Sequence, residues 1–171
     1  MRWAISGTPG TGKSTAAAQL TVDLPIVHLN ELIETAGYTT GYDDERGTAI
    51  ADLDAIVDWL DDQPASIVVE SHLAHRLPVD GVIVLRCHPD ELADRLRERG
   101  ESTESIRENV DSERLDVILV DALELHGDEA IYEIDTTGRS PRTVADEIER
   151  VIAGEREPGA GRVSFLEDTD R

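Results

Sequence analysis

Apolar residues recur along this chain in two patterns, short continuous runs and longer stretches with a helical period. The continuous runs are typical of buried strands and lie at residues 2–6, 26–29, 66–69, 82–85 and 130–134. Stretches with helical spacing separate them, at residues 13–22, 30–36, 49–60, 89–99, 103–125 and 141–152. Strands that alternate with helices form parallel sheets with right-handed crossovers. The pattern therefore predicts an α/β fold with a five-stranded parallel sheet and helices on both faces.

The periodic pattern ends near residue 154. The residues that follow include the turn-rich sequence EPGAG and an acidic terminus. A chain of 171 residues suits one domain with a sizeable core. We predict that this domain spans residues 1–154 and that residues 155–171 form a flexible acidic tail. The alternative is a docking segment built on Val163, Phe165 and Leu166.

The composition is strongly acidic, with a formal net charge of −21, and only one of the 16 basic residues is a lysine. So many carboxylates repel one another at ordinary ionic strength, whereas molar salt shortens the Debye length to about 3 Å. The composition therefore indicates a protein from the cytoplasm of a halophile, with an acidic mesophilic protein as the alternative. It also argues against strong nonspecific binding to nucleic-acid backbones.

The cysteine content and the apolar runs bear on the compartment. The single cysteine, Cys87, cannot form an internal disulfide, and we expect it to be a small buried apolar residue at a strand end. No apolar run approaches the roughly 18 residues of a membrane span. The first predicted strand leads directly into a loop motif, which leaves no room for a signal peptide. We expect a cytoplasmic protein without a membrane partner.

The one lysine of the chain lies in the most specific motif of the sequence. Residues 7–15 read GTPGTGKST, the Walker A pattern of a phosphate-binding loop, directly after the first predicted strand. Gly10 and Gly12 let backbone N–H groups approach phosphate oxygens. Lys13 reaches the β- and γ-phosphates, and the Ser14 hydroxyl is a ligand for Mg²⁺. We predict that these residues and Thr15 bind ATP or a related triphosphate, and that the fold is that of a P-loop NTPase.

A carboxylate and a histidine, Glu70 and His72, follow the third predicted strand. In an open parallel sheet, ligands lie beyond the carboxyl ends of the strands. We predict that Glu70 holds Mg²⁺ through water and that His72 orients a nucleophile or the water around the metal. The alternative is that both side chains only pair with neighbouring loops. For His75 we expect an exposed position in a loop.

Two arginines four residues apart, Arg95 and Arg99, share one helix face just before Gly100. Arginines in such a position can neutralise the charge on a phosphoryl group during its transfer. A glycine at the end of the helix lets the following residues close as a lid. The alternative is a solvated helix surface on which the arginines pair with Glu91 and Glu98.

Two loops are candidates for binding an acceptor and a base. Residues 40–47 follow the second predicted strand, where a small kinase carries its acceptor-binding flap. Asp43 and Arg46 are the candidate contacts there, and a plain acidic loop is an equally good interpretation. Residues 136–139 follow the last strand, near the expected position of a nucleotide base, so that Arg139 is a candidate contact. A helix-capping turn is the alternative.

Together these motifs resemble those of the small adenylate kinases of archaea and of the eukaryotic nucleus, called adenylate kinase isoenzyme six in the latter. Members have GTPGTGK[ST]T near the first residues and a Gly-Tyr-Asp-Asp/Glu-Glu flap, which residues 7–15 and 41–45 match. Their lid, Arg-x-x-x-Arg-Gly followed by an asparagine, is matched by Arg95, Arg99, Gly100 and Asn109. The resemblance covers residues 1–154. It departs at Glu70, where eukaryotic members have aspartate, and at Glu101, where an aromatic residue is usual.

The resemblance implies a broad-specificity nucleoside monophosphate (NMP) kinase that converts ATP and AMP into two ADP with Mg²⁺ and also hydrolyses ATP. It implies an NMP-binding segment at residues 30–53 and a lid at residues 99–109. It further implies a role in rRNA processing and ribosome biogenesis, through a small-subunit ribosomal protein and the pre-ribosomal particle. An ATP-hydrolysing assembly switch with incidental kinase activity, and a kinase for a small metabolite, are the alternatives.

Overall fold

The structure, a computed structural model, describes residues 1–43 and 48–166. A parallel sheet with the strand order β2-β5-β1-β6-β7 comprises β1 (Arg2–Ser6), β2 (Ile26–His28), β5 (Ile67–Glu70), β6 (Gly81–Arg86) and β7 (Ile131–Asp135). A separate antiparallel hairpin comprises β3 (Thr39–Asp43) and β4 (Thr48–Ala51). The helices are α1 (Lys13–Ala17), α2 (Leu29–Ala36), α3 (Leu53–Asp61), α4 (Pro89–Glu98), α5 (Thr103–Arg114), α6 (Val117–His126) and α7 (Pro141–Ile152). The predicted α/β fold with a five-stranded parallel sheet is confirmed.

Successive side chains of β1 point to opposite faces of the sheet, and each face has its own apolar layer. Trp3 and Ile5 pack with buried residues of α1 and α7. Ala4 packs on the other face with buried residues of α2, α3 and α6. Both faces of the sheet are therefore covered, and this leaves its carboxyl edge for polar residues.

The helix predicted at residues 49–60 is wrong in its first part. Residues 48–51 form β4 instead, and α3 begins only at Leu53. Asp52 explains the change, because its side chain accepts a hydrogen bond from the N–H of Ala55 (3.1 Å) and caps α3. The helical spacing of apolar residues begins before Asp52, so this spacing alone did not show where α3 starts.

The single long helix predicted at residues 103–125 is two helices. Asp116 interrupts it with a φ of 56°, the left-handed region that residues other than glycine rarely adopt. The Asp116 carboxylate forms an ion pair with the buried guanidinium of Arg86, and this contact stabilises the break. The helix predicted at residues 13–22 is also shorter, because α1 ends at Ala17. The N–H of Thr21 donates a hydrogen bond to Glu149 of α7 (2.7 Å) instead of continuing the helix.

The segment after α7 lies against the sheet. Gly159 forms a parallel bridge with Tyr132 of β7, and Phe165 is only 6% exposed. This placement agrees with the docking alternative for residues up to Leu166 and differs from a flexible tail. Cys87 is buried at the end of β6, as predicted. Among the described residues, no helix has both the length and the apolar character that crossing a membrane requires.

Candidate active site

The loop between β1 and α1 has the backbone conformation that its glycines predict. Gly10 and Gly12 have φ values of 95° and 94°, in the region where a side chain is strained. A Cβ atom at Gly10 would also lie 2.7 Å from Cδ1 of Leu92 in α4. The loop therefore needs glycine at both positions for its backbone conformation, and at Gly10 also for its packing against α4.

Lys13 is buried at the start of α1, and its Nζ donates a hydrogen bond to the carbonyl oxygen of Thr8 (3.0 Å). Burial lowers the pKa of Lys13 from 10.5 to about 8. The positive charge of Arg99 acts in the same direction, whereas the Glu70 carboxylate opposes the shift. The ammonium of Lys13 is thus only partly compensated by the protein and is suited to an anionic ligand.

This pKa predicts how ATP binding depends on pH. As the pH rises through about 8, the free protein loses the Lys13 proton, and the neutral amine no longer attracts a triphosphate. We expect a constant KM for ATP below this pH and a rise above it that approaches about tenfold per pH unit. The measurement is KM from pH 6.5 to 9.5 at fixed KCl.

The matched control for this pH dependence is Lys13→Arg, because a guanidinium stays protonated over the whole range. Its KM for ATP should not change with pH, whatever its absolute value. An equal rise in both proteins would contradict the assignment to Lys13.

Glu70 ends β5 beside the phosphate loop, because its strand pairs with β1 in a register that places Glu70 opposite Ile5. Its Oε1 accepts a hydrogen bond from Ser14 Oγ (3.1 Å). Among the described residues there is no cluster of three or more ligands that could hold a metal ion alone. A hydroxyl and a carboxylate nevertheless fit Mg²⁺, which is commonly held by one or two protein oxygens together with substrate phosphates and water.

Sequence reasoning missed His28, at the end of β2. Strand β2 pairs with β5 so that His28 lies opposite Glu70, and its Nδ1 is 2.8 Å from Glu70 Oε2. The two oxygens of Glu70 therefore have different partners, Ser14 and His28. Its position near the carboxyl end of a predicted strand, where ligands bind in a parallel sheet, was the signal that could have identified it.

The other two histidines of this region differ in their surroundings. His72 is half-buried, and burial, reinforced by the charge of Lys13, lowers its pKa to about 4. It is therefore a neutral imidazole at physiological pH, and its catalytic role stays a prediction. The expectation that His75 is exposed is wrong, since it is 2% exposed. Its ring nitrogens contact Ser6 Oγ and Asp121 Oδ2, each at 2.8 Å, and so join β1 to α6.

A cavity of about 500 Å³ extends from the phosphate loop between α4 and the start of α7. Many of the predicted nucleotide-binding residues line it, namely Gly10, Gly12, Thr15, Arg95, Arg99 and Arg139. Arg95 is held in place there, with Nη2 2.5 Å from Glu91 Oε1 and Nη1 3.3 Å from Thr136 Oγ1. Arg99 and Arg139 are exposed at the rim. Predicted nucleotide-binding residues from the phosphate loop, from α4 and from the loop after β7 therefore line one cavity.

The structure bears on only one of the two predicted acceptor contacts, Asp43. Asp43 is the last residue of β3, in the hairpin, and is not among the residues that line the cavity. Arg46 lies outside the described residues. The roles of both residues in binding an acceptor therefore stay predictions.

Arg114, at the end of α5, was also missed from the sequence. Its Nε is buried and has no hydrogen-bond partner within the part of the chain that the structure describes. The preceding residue, Glu113, accepts a hydrogen bond from Thr8 Oγ1 of the phosphate loop (2.5 Å). Arg114 is thus a cationic side chain with unused donor capacity one residue from a direct contact to that loop.

Comparison with known proteins identifies close relatives of this chain. Residues 4–116 match the family described as AAA domain. A protein of Halobacterium salinarum named "Putative adenylate kinase" is 51% identical over 168 residues, which cover 98% of this chain and 99% of the relative. A protein of Natronomonas pharaonis with the same name is 49% identical over 167 residues and covers 98% and 99%. Shikimate kinase from Acinetobacter baumannii shares the fold, with a TM-score of 0.62 at 16% identity over 91% of this chain and 94% of that one.

Proposed function

The chain belongs to the AAA-domain family and to the archaeal family that the two halophile proteins represent, and on this basis we propose that it is an adenylate kinase that transfers a phosphoryl group from ATP to AMP. The observation that carries the proposal is the pairing of Ser14 with Glu70 beside the buried ammonium of Lys13. It places the side chains that would bind the terminal phosphates and Mg²⁺ next to one another.

In this proposal the phosphate loop binds the triphosphate through its backbone N–H groups and Lys13. Ser14 would bind Mg²⁺ and Glu70 would hold it through water, and the ion would neutralise charge on the phosphates. An oxygen of the AMP phosphate attacks the γ-phosphorus of ATP, and the bond from that phosphorus to the β-phosphate oxygen breaks, which yields two ADP. The attacking phosphate oxygen is already ionised, so no general base is needed. Neutral His72 then suits a hydrogen bond to bound water.

Cationic side chains around the cavity provide the remaining charge stabilisation. Arg99 contributes to the lowered pKa of Lys13, and its position at the end of α4 suits contact with the transferred group. Arg114 does not line the cavity, but it is a further candidate because its Nε lacks a hydrogen-bond partner among the described residues and the neighbouring Glu113 contacts the phosphate loop. Arg95, bonded to Thr136 and Glu91, lies on the wall of the cavity and is assigned to the donor nucleotide.

Two segments are assigned to closure and to acceptor binding. The lid at residues 99–109 includes Gly100, whose φ is 77°, and continues into α5. Its closure would exclude water, so that transfer to AMP exceeds hydrolysis. The segment at residues 30–53 contains the β3–β4 hairpin and would bind the monophosphate, with Asp43 and Arg46 as contacts.

The resemblance to adenylate kinase isoenzyme six supports three finer proposals. These are tolerance of several bases, slow hydrolysis of ATP without AMP, and contact with a small-subunit ribosomal protein during rRNA processing. The composition supports activity at molar salt, because the net charge of −21 is then screened.

The test is ADP formation from ATP and Mg²⁺ in concentrated KCl, with and without AMP. We expect AMP to raise the rate by at least about 10²-fold over hydrolysis, since transfer requires a positioned acceptor. Two ADP should form for each AMP consumed. GMP, CMP and UMP in place of AMP measure base tolerance. A rate that does not respond to any monophosphate, but responds to shikimate or to a ribosomal protein, would refute the proposal.

A further inference from the structure

Arg86, at the end of β6, lies in a buried cluster with three carboxylates, which we call the Arg86 cluster. Its Nε is 2.8 Å from Glu113 Oε1 of α5, and its Nη1 is 2.6 Å from Glu133 Oε1 of β7. Asp116 contacts Nη2. The side chains of Arg86, Glu113 and Glu133 are almost completely buried. One buried cation thus faces three anions, of which Glu113 and Glu133 are buried and Asp116 is partly exposed.

Since the cluster has more carboxylates than cations, it depends on additional hydrogen-bond donors. Two come from the backbone of the C-terminal segment, where the N–H groups of Arg162 and Val163 donate to Glu133 Oε2 (2.7 and 3.1 Å). A third is the N–H of Cys87, which donates to Glu113 Oε1 (3.0 Å). The C-terminal segment therefore donates two hydrogen bonds to Oε2 of Glu133.

The same segment covers the guanidinium. The ring of Phe165 lies 5.4 Å from the Arg86 guanidinium carbon and makes an edge contact with His88 at 5.5 Å. Gly159 anchors the segment to β7, with its N–H 2.8 Å from the carbonyl oxygen of Ile131. We call residues 159–166 the C-terminal clamp.

On its other side the cluster reaches the phosphate loop. Glu113 Oε2 accepts the hydrogen bond from Thr8 Oγ1 (2.5 Å), and the carbonyl oxygen of Thr8 accepts those from Lys13 Nζ (3.0 Å) and Thr11 Oγ1 (2.9 Å). A continuous series of direct contacts therefore runs from the clamp through Glu133, Arg86, Glu113 and Thr8 to Lys13.

We propose that the C-terminal clamp positions the phosphate loop through the Arg86 cluster, so that loosening the clamp loosens the loop and slows phosphoryl transfer. Val163, Phe165 and Arg86 are thus positioning residues, since each acts on the loop through Glu113. The part of this inference that concerns transfer rests on the proposed kinase activity, whereas the part that concerns the loop does not.

The test compares full-length variants that change one donor of the clamp. Val163→Pro removes the N–H that donates to Glu133, and Val163→Ala is the matched control that keeps it. Phe165→Ala removes the cover of Arg86 and serves as a second variant if Val163→Pro does not fold. Leu166→Ala, half-exposed in the structure, is its control.

The main readout is amide hydrogen exchange of a peptide that covers residues 7–13, with β5 as the internal reference. We expect about three- to tenfold faster exchange of this peptide in Val163→Pro and Phe165→Ala, as the loss of one buried hydrogen bond or contact implies. The control variants should match the wild type. The second readout is kinetic, and we expect kcat to fall by a similar factor with a smaller change in KM.

Faster exchange confined to β7 and the C-terminal segment, with an unchanged phosphate loop, would overturn the inference and leave the clamp with a structural role only. If the wild type itself shows no AMP-dependent transfer, the proposed kinase activity fails, and the exchange measurement alone still decides the inference.

Discussion

Replacing Lys13 by alanine is expected to abolish both AMP-dependent transfer and ATP hydrolysis while the fold stays intact. The ammonium is the only lysine charge of the chain, and it lies beside the Ser14–Glu70 pair where the terminal phosphates would bind. Loss of a charge that stabilises a phosphoryl group during transfer lowers rates by about three orders of magnitude or more. A coupled assay of ADP formation at pH 7 measures the effect.

The stability of the same variant separates the role of Lys13 in binding from a role in folding. Burial lowers the pKa of Lys13, so the protein without ligand disfavours the ammonium form that ATP requires. Lys13→Ala and Lys13→Met should therefore unfold in denaturant at the same concentration as the wild type, or at a higher one, when no nucleotide is present. Variants that retain transfer, or that lose activity only because they unfold, would contradict the assignment.

Unlike the Lys13 variants, Arg86→Leu is expected to lose a large part of the free energy of unfolding. The substitution leaves Glu113 and Glu133 buried without their cation, and Asp116 loses the partner that stabilises its left-handed backbone conformation. Removing one member of a buried ion pair costs about 3–5 kcal/mol of the free energy of unfolding. Urea unfolding at fixed KCl measures this difference.

The matched control for Arg86→Leu is Arg107→Leu. The Arg107 side chain is 84% exposed, and its Nε forms a long ion pair with Asp111 Oδ2 at 3.8 Å. An exposed pair of this kind contributes at most about 1 kcal/mol, and less in concentrated salt. Arg86→Lys should give an intermediate result, because an ammonium cannot donate to three carboxylates in the geometry of a guanidinium. Equal losses in Arg86→Leu and Arg107→Leu would show that the cluster does not stabilise the fold.

The sheet and the phosphate loop could be predicted because their signals are local. A strand buried on both faces is a continuous apolar run, and the loop is a pattern of nearby residues whose glycines and lysine have direct chemical reasons. The helix at residues 141–152 was predicted with its correct bounds because Pro141 and the periodic apolar residues define it. Glu70 could be placed next to the loop because strands of a parallel sheet share one carboxyl edge.

The features that could not be predicted depend on contacts between distant residues. Asp116 breaks a helix because of Arg86, 30 residues away in the chain, and Val163 contacts Glu133 across the same distance. The contact of His28 with Glu70 and the burial of His75 depend on strand pairing and on α6, which single-sequence periodicity does not reveal. The hairpin at β3 and β4 was missed because Ile50 and its neighbours fit helical spacing as well as a strand.

We expect the phosphate loop with Lys13 to bind the terminal phosphates of ATP, and the other roles proposed for the site depend on this binding. Isothermal titration of ATP with Mg²⁺ into the wild type and into Lys13→Ala, in concentrated KCl near pH 7, tests it most directly. We expect a saturable heat of binding for the wild type and none for the variant at the same concentrations. A wild type that gives no heat with adenine nucleotides, or a variant that binds ATP equally well, would contradict it.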